Sequence, residues 1–257
     1  MSVNILAVGD VTGESGLDVL TEKLRVVKKQ YDIAFAVVNG ENTSGLGITP
    51  KLADEILDAG ADIITLGNHT WSRNEITTYL DDSQFILRPA NFAPQVPGVG
   101  WRILDASFGK VCVINLIGRI EIDMASENPF LEIDKILKKV EEKVILVDFH
   151  ASATSEKTAM AYYLDGRVSA LWGTHTHVQT SDCRIFPNGT GYITDLGMTG
   201  PIDSIIGMKP EQPLSTFLGN PPQRNVSAAG PSRIEAAVFE IDPQTGKCLS
   251  VEALRVS

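Results

Sequence analysis

The stretch "LWGTHTHVQT" places His175 and His177 one residue apart, in a chain with only four histidines. An imidazole nitrogen holds a borderline metal ion or carries a proton near neutral pH. Two of them just after an apolar run therefore point to a metal site. The other two are His150 in "DFHAS" and His69 in "LGNHTW". Asp10 in "VGDVTG", Glu41 and Asn42 in "NGENTSG", and Asn68 beside His69 add oxygen donors. Asp, Glu, Asn and His together suit Mn, Fe or Zn rather than a thiolate site. The set Asp10, Glu41, Asn42, Asn68, His150, His175 and His177 is larger than one ion needs with positions left open for substrate. A glutamate bridging two ions, with Asp and His on either side, predicts a two-metal centre. Such ions sit about 3.5–4 Å apart and stabilise the attacking and leaving oxygens of an in-line displacement.

The elements that must position these residues alternate as strand and helix. "NILAVGD", "DIAFAVVNG", "ADIITLGN", "KVCVINLIG", "KVILVDFH" and "VSALWG" read as strands, and most of the candidate residues close one of them. "GLDVLTEKLRVVKKQ" sets Leu17, Leu20, Leu24 and Val27 at helical spacing, and "TPKLADEILDAG" carries Pro50 in its first turn and Gly60 after its end. "SRNEITTYLDD", "PFLEIDKILKKVEE" and "SEKTAMAYYLDG" read as further helices. "CRIFP" and "GYITDLG" look like short strands, and "RIEAAVFEID" with "CLSVEALRV" like a closing antiparallel pair. The early half reads as parallel α/β and the late half as richer in antiparallel strands. Ligands of an open α/β sheet gather beyond the carboxyl ends of its strands, and all four histidines fall there. Gly9, Gly40 and Gly67 each precede a candidate residue, and Gly173 lies two before His175, where a missing Cβ allows close approach. Residues 198–232, dense in Pro, Gly and Ser, predict a lid, a binding loop or a contact between subunits of a homo-oligomer.

The bulk properties narrow the function. Hydrophobic residues make up 43% and charged residues 21% of 257 residues, which suits one globular domain over 1–257. A net charge of -10 excludes a long basic groove for duplex nucleic acid, but not a small nucleotide. The opening "MSVNILAVGD" has no signal-peptide pattern, and no apolar run reaches the roughly 18 residues of a membrane span. Cys112, Cys183 and Cys248 are odd in number and far apart, so neither a disulfide framework nor a CxxC site is expected. These features predict a soluble, cytoplasmic protein. "GDVTGESG" lacks the Gly-Lys-Ser/Thr ending of a phosphate loop, and neither GxGxxG nor GxSxG occurs.

"GD", "GNH" and "GTHTH" resemble the spaced motifs of the calcineurin-like metallophosphoesterases. "VGDVTG", "NGENTSGLGIT", "LGNHTW", "RPANF", "DFHASATSEK", "GTHTHVQT" and "TDLGMTGPIDSIIG" resemble, in order and over nearly the whole chain, the YmdB-type bacterial phosphodiesterase branch. The resemblance implies a four-layer αββα sandwich with mixed sheets and a di-metal site, often di-iron. It implies hydrolysis of small phosphodiesters, including 2′,3′-cyclic nucleotides. Carried across, Asp10 and His177 would hold one ion, and Asn68, His150 and His175 the other. Glu41 would bridge, Asn42 would lie in a metal's shell, and His69 would give the leaving oxygen its proton. A water activated between the ions would be the nucleophile. The chain departs from the wider superfamily at Val11-Thr12, where Asp-x-His is usual, and at Thr70, where an acid usually follows "GNH". Ser72 and Ser152 stand where the branch tends to carry Asp and an acidic residue. The alternative function is a metal-bound regulatory protein that senses a nucleotide without turnover.

Overall fold

The computed structural model describes residues 1–257. The first half contains β1 (Val3–Val8), β2 (Asp10–Val11), α1 (Gly13–Gln30), β3 (Ile33–Asn39), α2 (Pro50–Ala59), β4 (Ile63–Thr65), α3 (Ile76–Asp82), β5 (Ile86–Leu87), β6 (Trp101–Ala106) and β7 (Gly109–Ile117). The second half contains α4 (Pro129–Leu137), β8 (Val144–His150), α5 (Thr154–Leu164), β9 (Ala170–Thr174), β10 (Arg184–Ile185), β11 (Gly191–Ile193), β12 (Met198–Pro201), α6 (Glu211–Phe217), β13 (Ser232–Ile241) and β14 (Cys248–Val256).

Local chemistry explains the helices near the site. Leu17, Leu20, Leu24 and Val27 line the buried stripe of α1. Thr49 caps α2 by accepting from the Leu52 amide, Pro50 opens the first turn, and Gly60 closes the helix at φ 117°. No helix is long and apolar enough to cross a membrane.

The strands form two sheets. The eight-stranded sheet runs β2-β12-β13-β1-β3-β4-β5, with β14 on β13; the six-stranded sheet runs β10-β11-β9-β8-β7-β6. Alternation along the strands builds three apolar layers. Leu6, Val8, Ala36 and Val38 face α1 and α2 on one outer side. Ile5, Ala7, Phe35 and Val37 meet Val113, Leu146, Ala170 and Trp172 between the sheets. Ile145, Val147 and Phe149 face Ile133 of α4 and Met160 and Leu164 of α5 on the far side. The architecture is therefore the four-layer αββα sandwich with mixed sheets that the resemblance implies.

The late half is richer in antiparallel pairs, as expected, with β10–β11, β12–β13 and β13–β14 all antiparallel, but neither half is pure. β8, β9 and β11 continue the parallel core to Ile193, and β6 makes an antiparallel edge in the first half. β6 escapes a sequence reading because "WRILDA" is a half-buried edge strand whose alternation is weak. The closing pair β13–β14 forms as expected, but β13 also lies against β1 in mid-sheet. Residues 198–232 are not a bare loop: they hold β12, α6 and short bridges joining Met208 to Ile205 and Ser227.

Trp172 of β9 and Phe239 of β13 join the two sheets, with ring centroids 5.6 Å apart. Both side chains are fully buried. Phe239→Ala should therefore lower stability by about 3–5 kcal/mol, the range for a truncated core aromatic. Urea unfolding followed by tryptophan fluorescence measures it; a loss under about 1 kcal/mol would mean that the sheets do not depend on this contact.

Candidate metal centre

The inward register of the strands changes character at their carboxyl ends. Phe35 and Val37 point between the sheets, and so, two residues on, does Asn39. The same step leads from Ile63 to Thr65, from Leu146 to Asp148 and His150, and from Trp172 to Thr174. The space between the sheets is thus apolar along most of its length and polar at one end.

The eight residues singled out in the sequence meet at that end in one connected cluster. Glu41 Oε1, Asn68 Oδ1 and His175 Nδ1 lie 3.0, 2.9 and 3.1 Å from His150 Nε2. Asp10 Oδ1 lies 3.9 Å from His150 Nδ1 and 3.8 Å from His177 Nε2, and Asp10 Oδ2 accepts from the His175 amide at 3.2 Å. Asn42 Nδ2 is 3.0 Å from His177 Nε2. His69 donates its amide to Glu41 Oε2 at 3.0 Å, and its ring Nε2 is 3.2 Å from Asn68 Nδ2. Asp10, Glu41, Asn42, His150 and His177 are buried, whereas Asn68, His69 and His175 are half-buried.

Neighbours set the tautomers. The Ile206 carbonyl only accepts, so its 3.0 Å contact takes the proton of His177 Nδ1 and leaves Nε2 with a lone pair. Thr174 Oγ1 donates to Asp148 Oδ1 at 2.8 Å, so it accepts from His150 Nδ1 at 2.9 Å and turns Nε2 toward the cluster. Asp148 is held in turn by Thr65 Oγ1 at 2.5 Å and Asn39 Nδ2 at 3.2 Å. An amide nitrogen only donates, so Asn68 Nδ2 makes His69 Nε2 an acceptor and leaves the ring proton on Nδ1. Asn68 is thus the ring's orienting partner, in place of the acid that Thr70 replaces; Thr70 instead bonds the Gly67 carbonyl.

The electrostatics suit a cation. Burial raises Asp10 to about 6, against the pull of His177 and His150. Burial also opposes ionisation of Glu41, but the adjacent His150 outweighs it and holds the carboxyl at about 2. For His150 burial favours the neutral ring, and Glu41 overcomes this, raising it to about 9. Burial lowers His175 to about 3 and also lowers His69. Asp10 Oδ1 and Asn42 Oδ1 are buried without a hydrogen-bond partner, each a costly arrangement of roughly 1–3 kcal/mol unless a cation is shared there. Ligand atoms of Glu41, His150 and His175 all lie within 4.8 Å of one another. These residues fit a divalent metal ion. His175 and His177 also adopt left-handed φ of 99° and 63°, a conformation that costs about 1–3 kcal/mol at each such residue and gathers at functional sites.

The Asn39, Thr65, Asp148 and Thr174 support was not found from sequence. Its signal was parity: each is a polar residue on the inward register of an apolar strand. The segment 198–232 does border the cluster, through the Ile206 carbonyl on His177. Ser152 bonds Glu121 rather than any of the eight residues.

A family model described as YmdB-like protein matches residues 6–254. The chain belongs to the YmdB-like family. A Bacillus subtilis (strain 168) member named 2′,3′-cyclic-nucleotide 2′-phosphodiesterase is 43% identical over 99% of this chain and 97% of its own length. A Mycoplasma pneumoniae phosphatase structure superposes with a TM-score of 0.94 at 33% identity, covering 100% of this chain and 94% of that one. A Thermus thermophilus protein of known structure gives 0.92 at 36% identity, with 98% of each chain covered.

Within this YmdB-like chain, Gly67 packs directly against the cluster. A Cβ there would strike the His150 ring and the Glu41 carboxylate. Gly67→Ala should therefore fold but take up little metal, as elemental analysis after reconstitution would show. Wild-type metal content in this variant would mean that the two side chains have room to move apart.

Proposed function

We propose that the chain is a metal-dependent phosphodiesterase acting on 2′,3′-cyclic nucleotides or related small phosphodiesters, with residues 1–257 as one domain. At the coarser level it is a phosphoester hydrolase, the class to which the Bacillus subtilis phosphodiesterase and the Mycoplasma pneumoniae phosphatase belong. The observation that carries the reading is the convergence of Glu41, Asn68 and His175 on His150 Nε2, with His69 alongside. In this reading Asp10 and His177 would hold one ion, Asn68, His150 and His175 the other, Glu41 would serve both, and Asn42 would lie in the shell of one. Oxygen and imidazole donors suit Fe or Mn, and also Zn. Bound ions would supply positive charge to the phosphate and an activated water for in-line attack.

The chain's own residues do the rest. Thr174 and Ile206 fix which imidazole nitrogens would be offered to the ions. His69 Nδ1 is free of an internal partner; in the imidazolium form, which ends the Asn68 contact at Nε2, the ring would give its proton to a departing oxygen and return to the neutral state that Asn68 favours. Burial alone favours the neutral His69 ring, and the negative charge of an incoming phosphate acts in the opposite direction.

Reconstituted protein should hold about two metal equivalents, as other two-metal sites do. It should hydrolyse a 2′,3′-cyclic nucleotide with Mn²⁺ and stop on chelation. Binding of metal and nucleotide without turnover would favour the regulatory alternative.

His69→Ala should keep its metal. It should slow the cyclic nucleotide by roughly 10²–10⁴, the range for a lost general acid, and a nitrophenyl ester much less, because nitrophenolate leaves without a proton. Equal losses on both substrates would remove His69 from the acid role.

A further inference from the structure

Lys157 of α5 and Asp195 form an ion pair buried outside the cluster of ligands. Lys157 Nζ lies 2.7 Å from Asp195 Oδ2, and each side chain is 1% exposed. Desolvation makes a buried ion pair a poor source of stability, and a packed apolar pair often serves as well. The other bonds of Asp195 suggest a different role. Its Oδ2 also accepts from Thr176 Oγ1 at 2.8 Å and from the Thr176 amide at 3.2 Å, and its Oδ1 takes the Gly197 amide at 2.8 Å. Thr176 is the residue between His175 and His177, the two left-handed histidines. The far side of the same turn is tied by the His175 amide to Asp10 and by His177 Nδ1 to Ile206. Lys157 reaches Asp195 across Gly173, where a Cβ would press on Cδ and Cε of the lysine.

We propose that the Lys157–Asp195 pair is a positioning device for the metal centre: it clamps Thr176 and so presets the rings of His175 and His177 for metal. This rests on the reading of those histidines as ligands. A divalent cation therefore binds a turn already held in its left-handed form, and loss of the clamp lowers metal affinity.

Thr176→Val removes the hydroxyl that Asp195 holds while keeping the side chain's shape, and Thr176→Ser keeps the hydroxyl. Both, with the wild type, are loaded with Mn²⁺ and titrated with a chelator. Melting of the metal-free chains is followed alongside. The expected result is that Thr176→Val gives up metal at about 10- to 100-fold lower chelator concentration, the usual effect of losing an outer support of a ligand. Thr176→Ser should match the wild type, and all three metal-free chains should melt alike. Lys157→Met should lose metal affinity in the same direction and also melt earlier; if it does not fold, the Thr176 variants decide. Metal release from Thr176→Val at the wild-type chelator concentration overturns the proposal. So does a lower melting temperature with unchanged metal affinity, which is the result of a purely structural role. Failure of the functional reading looks different. A wild-type chain that takes up no metal removes ligand and clamp together. One that binds metal without hydrolysing cyclic nucleotides leaves the chelator comparison decisive.

Discussion

One buried carboxylate joins the two sheets beneath the cluster. Asp148, on β8 of one sheet, accepts from Thr65 and Asn39 of the other and from Thr174 of its neighbour β9. Burial pushes this carboxyl up, while the hydrogen bonds from Thr65, Thr174 and Asn39 and the nearby His150 pull it down. A buried polar group needs such partners, and here they can come only from both sheets at once. The network therefore fixes the spacing of the sheets at the end where the candidate ligands stand. His150 hangs from it through Thr174, and Glu41, Asn68 and His175 meet at His150.

A division of labour follows along each central strand. Residues in the middle contribute apolar area on both faces and make the sandwich stable. The last residue or two gives up that contribution and carries polar groups instead, held by neighbours on the opposite sheet. The loops beyond are pinned rather than free: Asn42 touches His177, Glu41 receives the His69 amide, and Asp10 receives the His175 amide. Candidate ligands from five separate segments thus reach one point with little left to order, which is what preorganisation requires.

Much of this was readable in the sequence. The histidines stand out because all four fall at or just after strand ends with oxygen-bearing residues beside them, and helices α1 and α2 announce themselves by spacing and caps. What was hidden has common causes. β6 is an edge strand with no strong alternation, and β12 is a four-residue strand inside a Pro- and Gly-rich segment. Asp148 and Asp195 looked like ordinary members of "VDFH" and "TDLG", because their meaning lies in which face they take and in partners 83 and 19 residues away.

The place of β13 has a consequence for the order in which the chain becomes functional. Ser232–Ile241 lies between β1 and β12, so it separates the first strand of the protein from the two-residue strand that begins with Asp10 and pairs with Met198. Gly9, just before Asp10, gives its amide to the Glu235 carbonyl at 2.9 Å. A growing chain emerging from the ribosome has all of Asp10, Glu41, Asn42, Asn68, His69, His150, His175 and His177 before it has β13. Until β13 is made, the segment carrying Asp10 has no neighbour on this side to set its register. Contacts this distant in sequence close late and slowly. The chain must be made as far as Glu235 before the segment carrying Asp10 gains its contact with β13.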